Sequence, residues 1–436
     1  MVRRLSSHGL EAVSRYTGQV VSPQSGAGRV LGRWWRWVAR QVPGSVPPNA
    51  LTLLGGLAIL CGYLPLAVFL PRLRNEDGLE PPAWALVATA VAVVVYQTLD
   101  AVDGMHARAT HSASALGELL DHSVDSVAMI VVGLSFAACI QLGGSWLALG
   151  VNFGIYIKFF MAQWELKNTG REVVGHVNSS MGLSLAAAFF VWTAVTGTSW
   201  WTAPLELPLL PELGLAGGSL PLPLPTLLSA APGLAPLVRR QHLVAAVALV
   251  WCAWATWCSS LQVWYAVLAA DGAPRRARRW QTALAHLVPA GAAVGFSITW
   301  ASWSPAGLLA NHPRLFISLS GLLMSKLMSS MLVARLADQL FPVYHSMMLP
   351  LPFACFNSYA AYMSGRASLV PELGMLRTVF VVTLLVYAQF VGGVLDEMRE
   401  HLNISLFGMN HACPVPTPPP PPPLTLCTDP RCPHRR

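Results

Sequence analysis

The sequence predicts an all-α polytopic membrane protein with about ten transmembrane helices and an N-terminal amphipathic helix lying at the membrane interface. Three observations predict it. Of 436 residues, 54% are hydrophobic and only 11% charged, with a mean hydropathy of +0.50; this excludes an ordinary soluble globular chain. Apolar runs of about 18 residues or more recur along the chain, the length that crosses a hydrocarbon core of about 30 Å. The basic residues behind the net charge of +8 sit between those runs, where they set topology, and they form no patch that would read as a nucleic-acid footprint.

Taken in order, residues 1–47 form a polar, basic, cytosolic segment. Within it Trp34, Trp35 and Trp37 alternate with Arg33, Arg36 and Arg40, the mixture that suits the headgroup layer and predicts the interfacial helix. Pro47-Pro48-Asn49 breaks that helix. Core helices follow over 48–200, a Pro/Leu-rich non-cytosolic loop over 201–240, C-terminal membrane helices over 241–404, and a tail over 405–436. The expected spans are 51–70, 84–100, 119–141, 146–164, 182–198, 242–268, 282–302, 315–334, 345–363 and 376–396. With the N-terminus in the cytosol, most of the 28 Lys and Arg residues fall on the cytosolic side, Arg275, Arg276, Arg278 and Arg279 most clearly. Ten spans with both termini cytosolic satisfy the positive-inside rule. The tail contains PTPPPPPPP, which favours polyproline II and disorder over a folded element. The eight cysteines form no C-x2-C pair, so neither a zinc site nor a disulfide framework is expected. No cleavable signal peptide is expected either, because the first apolar run begins near Leu51.

One stretch departs from this apolar pattern. Asp100 to Asp125, DAVDGMHARATHSASALGELLDHSVD, follows the pattern D-x2-D-G-x2-A-R-x8-G-x3-D-x3-D. Carboxylates at membrane helix ends are costly, so their clustering marks chemistry. Asp121 and Asp125 lie four apart and share a helix face. Glu118 and His122 fall on nearly the same face, all four within about 100° of arc. Asp100 and Asp103 occupy one turn at the end of the preceding span. Two acidic clusters facing each other across adjacent helices offer hard oxygen ligands for Mg²⁺ or Mn²⁺, as one ion or a pair. Without a cation the carboxylates would repel one another. Gly104 allows a ligand close to the backbone, and Arg108 supplies a planar donor for phosphate oxygens. Metal, glycine and arginine together imply a phosphorylated substrate, most simply a diphosphate.

Asp100 to Asp125 resembles in full the signature of the CDP-alcohol phosphotransferases. Its extension Leu116–Ser126, LGELLDHSVDS, is similar to the choline/ethanolamine phosphotransferase branch, as are Pro48-Asn49-Ala50-Leu51-Thr52, the FFMAQWELKNTG stretch with Phe160, Trp164, Thr169 and Gly170, and His401-Leu402-Asn403-Ile404. The resemblance spans about 48–404 and is specific at the signature. It implies transfer of phosphocholine or phosphoethanolamine from CDP-choline or CDP-ethanolamine to diacylglycerol, with release of CMP. It also implies a ten-span homodimer in an endomembrane, endoplasmic reticulum or Golgi, using two Mg²⁺ or Mn²⁺ ions at a site open to cytosol and lipid. Carried over by position, Asp100, Asp103, Asp121 and Asp125 hold the metals, while Asn49, Gly104 and Arg108 contact the CDP moiety.

The general base is a separate question. Family signatures assign the final aspartate, here Asp125, but a carboxylate occupied by metal is a poor base. His122, with Glu118 one turn earlier to orient and charge-stabilise it, is the better-tuned candidate near neutral pH. For a choline cation, Glu165 at the end of the fourth span is the candidate, with aromatic help from Trp164 or Tyr156. Lys158 and Lys326 fall inside spans; Lys158 sits close enough to the end to snorkel, and Lys326 is deep enough to meet phosphate or a carboxylate. His345, Asn357 and Tyr359 read as packing or interface residues. Met105, His106, Ala109, Asn178 and Met181 depart from the residues usual in this branch, leaving the metal pattern intact and the headgroup preference open. Three rival functions remain, one of them an inactive scaffold, against which the intact carboxylates argue. A CDP-diacylglycerol-dependent phosphatidyltransferase belongs to a branch that is usually shorter, with fewer spans. A divalent-cation transporter would place its carboxylates near the midplane and would leave Gly104 and Arg108 unexplained.

Overall fold

A computed structural model describes residues 4–16, 26–76, 78–170, 179–204, 239–269 and 272–408. Most of the Pro/Leu-rich loop, the Pro-rich tail from 409 onward, and Asn178 lie outside the described residues. The described residues contain no strand. Their helices are α1 (Ser7–Ser14), α2 (Gly26–Gln41), α3 (Pro48–Phe69), α4 (Ala83–Ala109), α5 (Ala115–Cys139), α6 (Trp146–Thr169), α7 (Ser179–Thr196), α8 (Arg240–Leu268), α9 (Ala273–Ala285), α10 (Val288–Ser302), α11 (Pro313–Leu336), α12 (Pro350–Ser364) and α13 (Glu372–Leu402), with short turns of helix at Ser199–Thr202, Leu308–Asn311 and Ser346–Met348.

Each expected span has a helix on it. Seven helical segments are long and apolar enough to cross a membrane, α9 and α10 counting as one of them, and Ser180–Thr196 is a shorter apolar helix. The other two are α6, whose apolar face is interrupted by Asn152, Lys158 and Gln163, and α12, which has 15 residues. The seventh span divides between α9 and α10 because Pro289 sits in the first turn of α10, where it lacks the N–H that would continue the preceding helix. α4 runs nine residues beyond the expected end at Asp100, so Asp103, Gly104 and Arg108 are helical and not part of a connecting loop.

α11 is the hub, with 89% of its apolar segment buried, whereas α8 on the periphery is only 6% buried. α11 packs on α5, α6 and α13, and α3 packs along α4. In lipid, helices gain little from burying apolar surface and associate through close approach and polar contacts. A Cβ on Gly62 would come within 2.2 Å of Ala92, and one on Gly321 within 2.6 Å of Ile130; these pairs set the α3–α4 and α11–α5 spacings. Thr89 donates to the Gly62 carbonyl at 2.9 Å across the first pair. Arg314, at the head of α11, donates to the carbonyls of Leu66, Leu70 and Pro71 and so satisfies the open end of α3. Hydroxyls of Ser126, Ser329 and Tyr387 join α5, α11 and α13 in the interior.

The N-terminal segment does more than the sequence predicts. α2 is the expected interfacial helix: Trp35 packs inward with Leu51 and Val102, while Trp34 and Trp37 stack on each other in the open, ring centroids 5.2 Å apart. α1 was not expected. Its Leu10 and Val13, with Leu5 before it, pack against Leu116, Leu119, Leu336, Val394 and Met398, and Glu397 accepts the main-chain N–H groups of Arg4 and Leu5. α1 thereby closes the end of the bundle at which α4 and α5 turn.

Candidate functional site

α4 and α5 form a hairpin whose turn is short and fully capped. The Thr110 hydroxyl donates to the His106 carbonyl at 2.8 Å, and Ser114 accepts the Gly117 N–H at 3.1 Å as the N-cap of α5. This turn brings the last turns of α4 against the first turns of α5, so the two acidic pairs meet. Carboxylate oxygens of Asp100, Asp121 and Asp125 lie within 4.8 Å of one another. Asp103 falls outside that group, 4% exposed, with its carboxylate accepting a hydrogen bond from the Thr52 hydroxyl of α3. Asp125 accepts from the Tyr96 hydroxyl, one turn before Asp100. Among the described residues none of the four carboxylates pairs with an arginine or lysine, and Asp121 Oδ1 is buried without a hydrogen-bond partner. Like charges gathered this way need compensation. A divalent cation fits the donor set, which is hard oxygen only and leaves one oxygen unsatisfied.

A cavity of about 200 Å³ opens beside them, lined by Asn49, Thr52, Asp103, Gly104, Arg108, Ser114, Gly117, Glu118, Asp121 and His122, with Tyr16 and Gly408 at its margins. Asp103, Gly104, Arg108, Gly117 and Asp121 of the signature therefore share one chamber, and Asp100 and Asp125 lie behind Asp121 outside its lining. At Gly104 the position of a missing Cβ faces only the Arg108 guanidinium, at 3.4 Å, so helix backbone and guanidinium are presented together to the cavity. Asn49 donates to the Leu406 carbonyl at 2.8 Å, which ties the start of α3 to the segment following α13. That segment turns back at Asn403, a left-handed residue with φ of 51° that caps α13, and its Ile404 and Leu406 pack under α5.

His122 and Glu118 both line the cavity, in an arrangement different from a side-chain dyad. His122 Nδ1 lies 3.1 Å from the Glu118 main-chain carbonyl. A carbonyl only accepts, so Nδ1 carries the proton and Nε2 is left as the basic nitrogen. The Asp121 carboxylate is 3.7 Å from the same Nδ1, and the Phe159 ring lies nearly parallel to the imidazole at 6.4 Å. The Glu118 carboxylate instead pairs with Arg335 of α11, with Tyr16 as a further neighbour. Glu118 thus holds His122 through its backbone while its side chain joins α5 to α11.

The residues expected at a choline subsite are placed elsewhere. Trp164 is in the core and donates to the Ala283 carbonyl at 2.8 Å; Tyr156, also in the core, donates to Asn152 at 3.2 Å. Glu165 is 3% exposed and does not line this cavity. Lys158 is half-buried along α6. Lys326 is buried, donating to Ser330 Oγ at 2.7 Å and lying 3.8 Å above the Phe390 ring. His345 is buried, Asn357 exchanges hydrogen bonds with Val370, and Tyr359 packs on Trp303. Sequence reasoning missed Thr52, Tyr96, Arg335 and Tyr16. Thr52 was inside a motif already noticed, and Tyr96 stands four residues before Asp100, on its helix face. Arg335 has no local signal, since it meets Glu118 across 217 residues of chain.

Comparison with known proteins agrees with this geometry. A family model described as CDP-alcohol phosphatidyltransferase matches residues 45–210, the part that contributes the acidic hairpin and Asn49. The chain is similar to choline/ethanolaminephosphotransferase 1 of Arabidopsis thaliana, 29% identical over 92% of this chain and 97% of that protein. It is 28% identical to choline/ethanolaminephosphotransferase 2 of the same plant over the same shares. It is 33% identical to cholinephosphotransferase 1 of Danio rerio, over 45% of this chain and 53% of that protein.

Proposed function

We propose that this chain, which carries a CDP-alcohol phosphatidyltransferase domain at residues 45–210, transfers phosphocholine, phosphoethanolamine or both from the CDP-alcohol to diacylglycerol, releasing CMP. The observation that carries the proposal is the convergence of Asp100, Asp121 and Asp125 beside a chamber that also holds Gly104, Arg108 and His122. Relatives matched over nearly their full length bear choline/ethanolaminephosphotransferase names, which favours this reading over a CDP-diacylglycerol-dependent enzyme or a cation transporter.

In the proposed reaction the diacylglycerol hydroxyl oxygen attacks the phosphorus that bears the choline or ethanolamine. A new oxygen–phosphorus bond forms, the bond from that phosphorus to the bridging oxygen breaks, and CMP departs with the bridging oxygen. Little covalent work is left to the protein, so catalysis is chiefly positioning and charge stabilisation. His122 Nε2 takes the hydroxyl proton, with the imidazole held in the required tautomer by the Glu118 carbonyl. This favours His122 as base over Asp125, whose carboxylate is already engaged by Tyr96. Arg108 grips phosphate oxygens in a planar fork, Gly104 lets them approach the helix, and Asn49 borders the nucleotide. Asp100, Asp121 and Asp125, with Asp103 alongside, would hold two Mg²⁺ or Mn²⁺ ions, which when bound supply charge neutralisation for the diphosphate and the departing CMP. Glu165, Trp164 and Tyr156 have no part in this mechanism. The division into a core at 48–200, a loop at 201–240 and a second set of helices at 241–404 belongs to the same proposal. So do a homodimer and an endomembrane location, endoplasmic reticulum or Golgi, with the site facing the cytosol; family resemblance and the placement of basic residues support these.

The test is product formation by the purified full chain with diacylglycerol and Mg²⁺, supplied in turn with CDP-choline, CDP-ethanolamine, or CDP-diacylglycerol plus inositol. Phosphatidylcholine or phosphatidylethanolamine from either of the first two donors is the expected result and identifies the headgroup. Turnover of the third alone would overturn the branch assignment.

A further inference from the structure

A second, more open cleft of about 570 Å³ lies between α2 and the end of α4. Its charged residues are all arginines: Arg36 and Arg40 from one face of α2, four apart, and Arg108 from α4, while Ala39, Val42 and Met105 supply apolar wall. No carboxylate lines it, and among the described residues none of the three guanidiniums has a carboxylate partner. The one histidine in the wall, His106, is taken up by the Val46 carbonyl at 2.9 Å. Three uncompensated guanidiniums around an open cleft call for an anion with several acceptor oxygens. The cleft lies under the helix whose exposed Trp34 and Trp37 mark the membrane interface. A ligand there meets apolar wall as well as charge, which suits a molecule with both a phosphate and a hydrocarbon part.

We infer that this cleft binds the phosphate-bearing headgroup of an anionic phospholipid, held by Arg36, Arg40 and Arg108, at a site that shares Arg108 alone with the reaction chamber. Basic residues clustered on an amphipathic helix suit such lipids, and guanidiniums discriminate a phosphate by its geometry as well as its charge. Because Arg108 lines both cavities, this lipid and the CDP-alcohol draw on one shared side chain.

Binding is tested without turnover, so its outcome is independent of the proposed reaction. The full chain is transferred into phosphatidylcholine-containing micelles with graded phosphatidylserine, and retained lipid is counted by native mass spectrometry. The variants are R36Q/R40Q and, on the same helix but outside the cleft, R33Q. The expected result is at least tenfold preference for phosphatidylserine over phosphatidylcholine in the unmodified chain and in R33Q, with that preference falling to less than threefold in R36Q/R40Q. The R36K/R40K variant keeps the charge and loses the fork, and is expected to lie between. Equal loss in R33Q and R36Q/R40Q would mean diffuse attraction to basic surface and would overturn the proposal, as would undiminished preference in R36Q/R40Q. In a second arm inorganic phosphate is added; if it displaces the lipid at millimolar concentration, the site takes free phosphate and the lipid assignment fails.

Discussion

Replacing Arg335 with methionine breaks the ion pair with Glu118 while keeping most of the side-chain volume. The two side chains are 17% and 6% exposed, so the glutamate that remains is almost completely withdrawn from water. Removing one member of such a pair strands a buried charge and costs about 3–5 kcal/mol, whereas replacing both members with well-packed neutral residues is often close to neutral. R335M is therefore expected to lower unfolding free energy in detergent by about that amount, and E118Q/R335M to recover most of it, giving a coupling energy of about 2 kcal/mol or more. Activity should separate from stability. Glu118 orients His122 through its backbone carbonyl, which glutamine preserves, but the pairing to α11 holds that turn of α5 in place. The double variant is thus expected to be stable yet still reduced in kcat, with the CDP-alcohol KM little changed. The assay is a double-mutant cycle of chemical unfolding alongside initial rates. An R335M protein as stable as the parent, or a double variant no more stable than R335M, would refute the idea that this pair joins α5 to α11.

Other outcomes follow from single contacts. Y96F removes the hydroxyl that Asp125 accepts from, and a lost outer partner of a ligating group is expected to raise the Mg²⁺ concentration for half-maximal activity about 10- to 100-fold. H122Q is expected to lower kcat by about 10²- to 10⁴-fold through loss of the base, and D125N to act mainly on Mg²⁺ dependence; the reverse pattern would return the role of base to Asp125. E165Q is expected to leave the KM for CDP-choline unchanged, because the side chain is walled off from the chamber. G62L is expected to abolish folding into the membrane, read as loss of monodisperse protein, since even a Cβ there would meet Ala92 at 2.2 Å.

The parts of this molecule legible in its sequence are those set by short-range rules. Hydrophobic run length put a helix on every expected span, seven of them in segments long and apolar enough to cross a membrane, and the four-residue spacing of Asp121 and Asp125 put them on one face. The end of α4 is not legible this way, because run length measures the apolar segment and not the helix. Here backbone hydrogen bonding carries the helix nine residues past the apolar segment, and the Thr110 and Ser114 contacts end it. The choline subsite at Glu165, Trp164 and Tyr156 rests on residue type and nearness to a helix end; burial of all three depends on which face of α6 meets its neighbours, and that face is masked because the polar residues of α6 are scattered around the helix instead of gathered on one side. Arg335, Tyr16 and the α1 plug were out of reach for a simpler reason. Each acts on residues more than a hundred positions away, and no local pattern encodes a partner at that distance.

The most direct test of the central claim is CMP release by the purified chain as Mg²⁺ is titrated, with CDP-choline, CDP-ethanolamine and diacylglycerol present, in the unmodified protein and in D121N. Asp121 belongs to the acidic cluster and has one oxygen with no protein partner, so its neutral isostere keeps the shape and removes the charge. The expected result is saturable, Mg²⁺-dependent release in the unmodified chain, abolished by EDTA and lowered at least 10²-fold in D121N. Release that ignores Mg²⁺, or that survives in D121N at the same rate, would contradict the assignment of this hairpin as a metal-dependent transfer site.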